Sequence, residues 1–395
     1  MTDPLFRYHV PGNSGFVDSA SFLWNTPLAG KSDSSSVDIS SQFLIKDYFE
    51  SAKIFIQQYD YKILKTGLKF NLKQNIFLSD ICHIDISLEK HGAFYHPAKI
   101  SVELNNGKIL FFVLNTAVSE AGLAIIENEY NTMSRLNKKY SNALIPQVFG
   151  MGKVNTEKGC AAFFLAEWFN DFHEFHVTSS ATDSFNEKKI GLWESNGAIS
   201  KISSPDYFII YEKASEILTE FYNPESFEQI FPWHHAAGDF VVKKTGRSFD
   251  VRLITVRNYG ALFGAVPDSE ETESMEKEHE LIELILHGLL FFYLNLSVRM
   301  RIDRIDGTGD YCLIDSRVIS FVLKGFLRGL SKKRLPGETK KNIAEIFLEF
   351  AGQFSFDELY EMLVMVVDSY NKNAPETALV KENLSEHSKL LLNFY

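Results

Sequence analysis

The segment PWHHAAGDFVVKK, residues 232–244, places two adjacent histidines, His234 and His235, just ahead of Asp239 and then enters an apolar run. Imidazole is a competent general base near neutral pH, and hard divalent cations prefer carboxylate oxygen. This density of titratable groups between an aromatic residue and an apolar run makes His234, His235 and Asp239 candidates for the wall of an active site. The plainer alternative is a hydrogen-bonded loop in which a histidine pair beside Trp233 holds a turn. A second acidic stretch, RIDRIDGTGDYCLIDSR at 301–317, alternates Asp303, Asp306, Asp310 and Asp315 with Gly307 and Gly309. Oxygen-rich turns with glycines suit Mg²⁺ or Ca²⁺, although this spacing is not that of an EF-hand. Asp306, Asp310 and Asp315 form the competing metal set, and Arg301 and Arg304 are expected to pair with these carboxylates in a salt-bridged loop. Arg252 and Arg257 lie between the two stretches and offer guanidinium groups that suit phosphate.

These residues sit in a chain of 395 residues, long enough for two or three structural units or one bilobed domain. With 45% hydrophobic and 23% charged residues the composition is that of a soluble globular protein, and 34 Phe imply a large core or apolar binding surfaces. A net charge of −11 disfavours a broad nucleic-acid or anionic-membrane surface. Cys82, Cys160 and Cys312 are far apart and form no CxxC, so a reducing, cytoplasmic compartment is expected. The start, MTDPLFRYHVPGNSG, carries no secretory pattern, and the apolar stretch Leu281 to Val298, interrupted by Glu283, His287 and Asn295, reads as a core helix rather than a membrane span.

Residues 1–66 read as a Ser/Gly/Pro-rich arm, with SDSSS at 32–36, followed by a helix from about 41. From 67 to 176 come short β-rich runs, a helix at 124–140 and two more strands. Asn105-Asn106-Gly107 joins two of these strands, and Asn-Gly predicts a two-residue hairpin turn with positive φ at both positions. Residues 177–395 begin as a loop-like region and become mostly helical; a helix at 205–223 precedes the 232–244 segment, and SFDVRLITVRNYGALFGAV reads as a pair of strands. A β-rich half followed by a helical half predicts an α+β fold in two lobes, with the cleft between them as the default ligand site.

This order of elements resembles the protein-kinase-like superfamily, especially its aminoglycoside and small-molecule phosphotransferase branch. The resemblance spans about residues 75–370, is topological, and has degenerate motifs. It implies a bilobed protein that binds ATP or another nucleotide with magnesium and transfers phosphate to an unidentified small molecule or protein. The alternative it carries is a catalytically inactive, pseudokinase-like interaction scaffold. In such kinases a strand lysine meets the phosphates and a glutamate of the next helix orients it. Here Asn115 falls at the lysine position, Lys99 on the preceding strand is a substitute cation, and Glu127 or, preferably, Glu129 takes the helix position. No GxGxxG exists, its place being taken by EKHGAFYHP at 89–97. FFLAEWFNDFHEF resembles the fifth strand and hinge, with Glu167 at the adenine-contacting position. Laid on the family's catalytic loop, Asp239 takes the metal-binding asparagine position, His234 takes that of the base, and Thr255 takes that of the second metal carboxylate. Arg257 is the candidate phosphate ligand. GxSxG, HExxH and GxxxxGK[ST] are absent, so serine-hydrolase, zincin and Walker-type readings have no local support.

Overall fold

The computed structural model describes residues 3–28, 43–89, 95–140, 143–178, 189–194, 197–233, 235–246, 248–261, 275–335 and 342–392, without the side chains of 275–278. The SDSSS stretch, residues 90–94 of the glycine-loop candidate, His234 and residues 262–274, including the start of the acidic run 268–280, lie outside them. The fold is mixed α+β, with a β-rich first half and a largely helical second half. It divides into two compact units, Met1–Asn170 and Asp171–Tyr395.

The first unit holds β1 (Leu5–His9), α1 (Ile45–Leu72), β2 (Ile81–Leu88), β3 (Ala98–Leu104), β4 (Ile109–Ala117), α2 (Glu120–Lys139), β5 (Val148–Thr156) and β6 (Gly159–Glu167). Its six-stranded sheet runs β1-β2-β3-β4-β6-β5. Where an arm was expected, β1 adds a parallel edge strand beside β2. Alternation along β3 sends Ala98, Ile100, Val102 and Leu104 to one face and Lys99, Ser101 and Glu103 to the other. The first face packs under α1 through Tyr48, Phe49, Phe55, Leu64 and Leu68, all buried. Because Lys99 pairs with Val113 and Asn115 with Phe164, Lys99 and Asn115 share the opposite face. There α2 brings Tyr130 to within 6.1 Å of Phe164, ring to ring. Ser119 caps α2 by accepting from the Gly122 amide.

The Asn105-Asn106-Gly107 turn differs from the expected two-residue form. Only Gly107 has positive φ (79°), Gly107 N–H donates to Leu104 O, and Leu104 N–H donates to Lys108 O. That is a three-residue loop, in which Asn106 stays right-handed and the glycine alone takes the left-handed position.

The second unit opens with a three-stranded antiparallel sheet, β7 (Glu174–Thr178), β8 (Lys189–Trp193) and β9 (Ile199–Ile202), where a loop was expected. After α3 (Phe208–Phe221) and β10 (Glu228–Ile230) a single turn, α4 (Ala236–Asp239), leads into the hairpin β11 (Phe240–Thr245) and β12 (Ser248–Leu253). The two strands expected within 248–266 are present as β12 and β13 (Tyr259–Ala261), but with other partners: β12 returns along β11, and β13 joins β10. Then follow α5 (Met275–Arg299), the small hairpin β14 (Ile302–Arg304) and β15 (Tyr311–Leu313), and α6 (Val318–Leu330) to α10 (Leu384–Leu392) by way of α7 (Ile343–Ala351), α8 (Phe356–Asp368) and α9 (Pro375–Glu382). In α5 residues 279–299 are long and apolar enough to cross a membrane, but 61% of that apolar window is buried inside the unit. It packs as a core helix, against α6, α7 and α8. The closest helix pair is α3 with α6, where Ser215 donates to Val322 O at 2.7 Å and Gly325 lies against the Glu212 carbonyl.

Candidate functional site

In the second unit three chain segments meet: β7, the turn from Trp233 to Asp239, and β14 with the loop after it. The two stretches that competed as sites in the sequence are therefore neighbours, with β7 as their third member.

The Trp233–Asp239 turn is held from both ends. Trp233 is buried, and its carbonyl accepts from Arg299 Nη1 at 3.0 Å. The Arg299 guanidinium in turn lies 4.1 Å from the centre of the Tyr370 ring, a cation–π contact. At the other end Gly238 has φ +88°, which an L side chain rarely adopts, and the turn swings directly into β11. Asp239 is 3% exposed; its carbonyl accepts from the Ile254 amide at 2.9 Å, and Oδ1 accepts from Arg257 Nη1 at 3.3 Å. Arg257 Nη1 also reaches Pro232 O at 3.4 Å, so the guanidinium ties both ends of the turn together.

This geometry changes the reading of the metal position. The side chain that closes on Asp239 is Arg257, not Thr255, and a guanidinium at ion-pair distance supplies the positive charge that a cation would bring. Among the described residues no group of three or more His, Cys, Asp or Glu side chains gathers in a way that would hold a metal ion. In the competing set Asp315 is gripped by Arg317, whose Nε donates to both carboxylate oxygens, and this holds the carboxyl below its usual range. Asp310 is exposed and Asp306 is half-buried with φ +51°.

The expected pairing of Arg301 and Arg304 with the loop carboxylates is also replaced. Arg304 donates to the carbonyls of Gly309 and Thr308 at 3.0 and 2.9 Å, bracing the loop through its main chain. Arg301 turns instead toward His387, whose Nδ1 accepts from its Nη1 at 3.2 Å. Arg252 pairs with Asp250 at 2.8 Å.

Asp303 is the residue whose role the sequence misassigned. It is fully buried and accepts three hydrogen bonds: from His176 Nδ1 at 2.9 Å and Arg304 N at 2.7 Å on Oδ1, and from Val177 N at 2.7 Å on Oδ2. With Nδ1 donating to the carboxylate, a neutral His176 carries its lone pair on Nε2, the arrangement that orients an imidazole as a base. Gly307 lies against this edge of the ring; with φ +73°, a Cβ there would come within 2.9 Å of His176 Cδ2. The ring of His235 stands edge-on to His176, centroids 6.4 Å apart, and its Nδ1 is buried with no hydrogen-bond partner. Tyr211 lies against Phe175, and burial together with the charge of Asp303 holds its phenol protonated well above the ordinary range.

His176 went unnoticed because EFHVT follows an aromatic run and precedes a polar stretch. The available signal was alternation: Phe175 and Val177 are buried apolar positions of a strand.

The remaining sequence candidates belong to the first unit. Asn115 lies on the sheet face that carries α2. Glu129 on α2 is 3% exposed, whereas Glu127 makes a surface pair with Lys153 at 2.9 Å, so Glu129 is the inward glutamate. Lys99 Nζ stands 4.1 Å from the centre of the Phe111 ring and 5.0 Å from that of Trp168. Glu167 N–H donates to Gln147 O at 2.8 Å and is used within the strand pair.

No protein-family model matches the sequence, and no curated protein matches it.

Proposed function

We propose that the chain is a kinase-like protein whose two units correspond to the β-rich and helical lobes of that superfamily, and that it recognises the phosphates of a nucleotide without a magnesium ion, through Arg257. The observation that carries this reading is the ion pair between buried Asp239 and half-buried Arg257 at the junction of the Trp233–Asp239 turn with β11. The Arg257 side chain is 25% exposed, so it can meet a ligand oxygen while Asp239, at 4%, fixes its position. A guanidinium held in this way is pre-organised for bidentate phosphate contact. His176, oriented by Asp303, and His235 then supply the base for transfer to a small molecule or protein.

Titration calorimetry with ATP tests this. Binding is expected to persist in EDTA, and R257M is expected to weaken it by at least about tenfold, the loss of one charge-assisted contact. Undetectable binding at millimolar ATP, with or without magnesium, would remove the proposal.

The second reading is the non-catalytic scaffold. It is favoured by the same ion pair, read as an internal lock on the turn where a cation-binding pair is usual. It predicts that no phosphate transfer accompanies ATP, and that H176A alters stability without altering any turnover. Transfer lost in H176A but retained in a surface variant such as K153A would exclude it.

A further inference from the structure

Away from this site, a small cavity lies between the end of α5, β15 and the α9–α10 pair, lined by Val298, Arg301, Leu313, Val380, Asn383, Leu384 and His387. It is partly open to solvent and has room for one small occupant. Arg301 is 5% exposed, and its Nε–H is buried with no hydrogen-bond partner.

The cation is not balanced by its contacts. Arg301 Nη1 donates to His387 Nδ1, so the histidine's single proton is on Nε2, which donates to Ser297 Oγ at 2.9 Å; that hydroxyl donates onward to Leu294 O at 2.8 Å. Burial and the neighbouring guanidinium push His387 down to about 3, and it brings no charge of its own. Asp315 and Glu386 act on Arg301 only through space. The oxygens of Asp315 are held by Arg317, and Glu386 is exposed. Among the described residues no carboxylate stands at ion-pair distance from Arg301. With no carboxylate in contact, the buried guanidinium keeps only the attraction of Asp315 and Glu386 at a distance, and a neutral water would satisfy its N–H without adding to it.

We propose that this cavity binds one small monovalent anion of halide size, held by Arg301 and bordered by Asn383 and the neutral His387. The anion fastens α9 and α10 to the end of α5. This inference is independent of the nucleotide reading.

Thermal unfolding of the full chain in sodium chloride or bromide, against sodium gluconate at equal ionic strength, tests it. The expected result is a saturable rise in Tm with halide, absent in R301M, together with halide-dependent protection of Leu384–Leu392 amides from hydrogen exchange. Equal Tm in halide and gluconate, or an undiminished halide effect in R301M, would overturn it. Should R301M not fold, crystals grown in bromide decide: an anomalous peak beside Arg301 Nε supports the site, and a water there refutes it.

Discussion

Replacing Asp303 by asparagine tests the centre of the candidate site, because the change keeps shape and removes charge. The wild-type carboxylate accepts from His176 Nδ1 and Arg304 N on one oxygen and from Val177 N on the other, all within 2.9 Å. An asparagine has one acceptor oxygen, and its least costly orientation keeps the first two bonds and turns its NH₂ toward the Val177 amide. That leaves a buried N–H unpaired, which costs about 1–3 kcal/mol, and the two surviving bonds lose their charge assistance at about 1 kcal/mol each. The expected destabilisation is about 3–5 kcal/mol; H176A leaves both amide bonds intact but removes a charge-assisted bond worth about 1.5–3 kcal/mol and opens a cavity. Urea unfolding by circular dichroism gives the total, and hydrogen exchange at the Val177 amide locates it in the second unit. A D303N variant within about 1 kcal/mol of wild type would refute the claim that this carboxylate organises the three segments.

Two further outcomes rest on other parts of the second unit. A Cβ on Gly325 would stand 1.9 Å from the Glu212 carbonyl oxygen, a backbone atom of the packed helix α3, so G325A is expected to cost at least the upper end of about 1–3 kcal/mol; a loss below about 1 kcal/mol in urea unfolding would show that α6 can move away. His387 titrates at about 3 in the fold, against an ordinary 6.5, so between those values the unfolded chain binds the extra proton and stability falls as pH falls. Its share approaches about 1.4 kcal/mol per pH unit, and urea unfolding from pH 7 to pH 4 should show a shallower acid loss in H387Q than in wild type; parallel curves would contradict the burial of a neutral ring.

How far the sequence could be read depended on whether a residue's partner lay nearby in the chain. Strand alternation in AKISVEL, the turn glycine at 107 and the apolar period of α6 are local properties, and each marked its element correctly. Asn-Gly misled in loop length and in the φ of Asn106, because the ladder pairing of Leu104 with Lys108 selects a three-residue loop that the dipeptide alone does not specify. β7 to β9 were missed because they are short and interspersed with polar residues; β7 packs against the turn and the β14 hairpin, which lie far away in sequence.

The site was half legible for the same reason. Asp239 and Arg257 were each singled out, as a metal ligand and a phosphate ligand, but not as a pair, since nothing in their spacing says that β11 and β12 fold back and bring the guanidinium onto the carboxylate. Asp303 and His176 are 127 positions apart, and no local pattern links them. Asp303 was grouped with Asp306, Asp310 and Asp315 because all four fall in one short stretch interspersed with Gly307 and Gly309. Yet in the β14 hairpin it points inward to β7, whereas Asp310 is exposed and Asp315 is bound to Arg317. The carboxylate that departs from its cluster in sequence is thus the one that joins the three segments. If that inward Asp303–His176 pair serves only to anchor the turn, D303N and H176A should change stability in proportion and leave ATP affinity untouched. A loss of phosphate transfer in H176A out of proportion to its stability would mark the imidazole as the base.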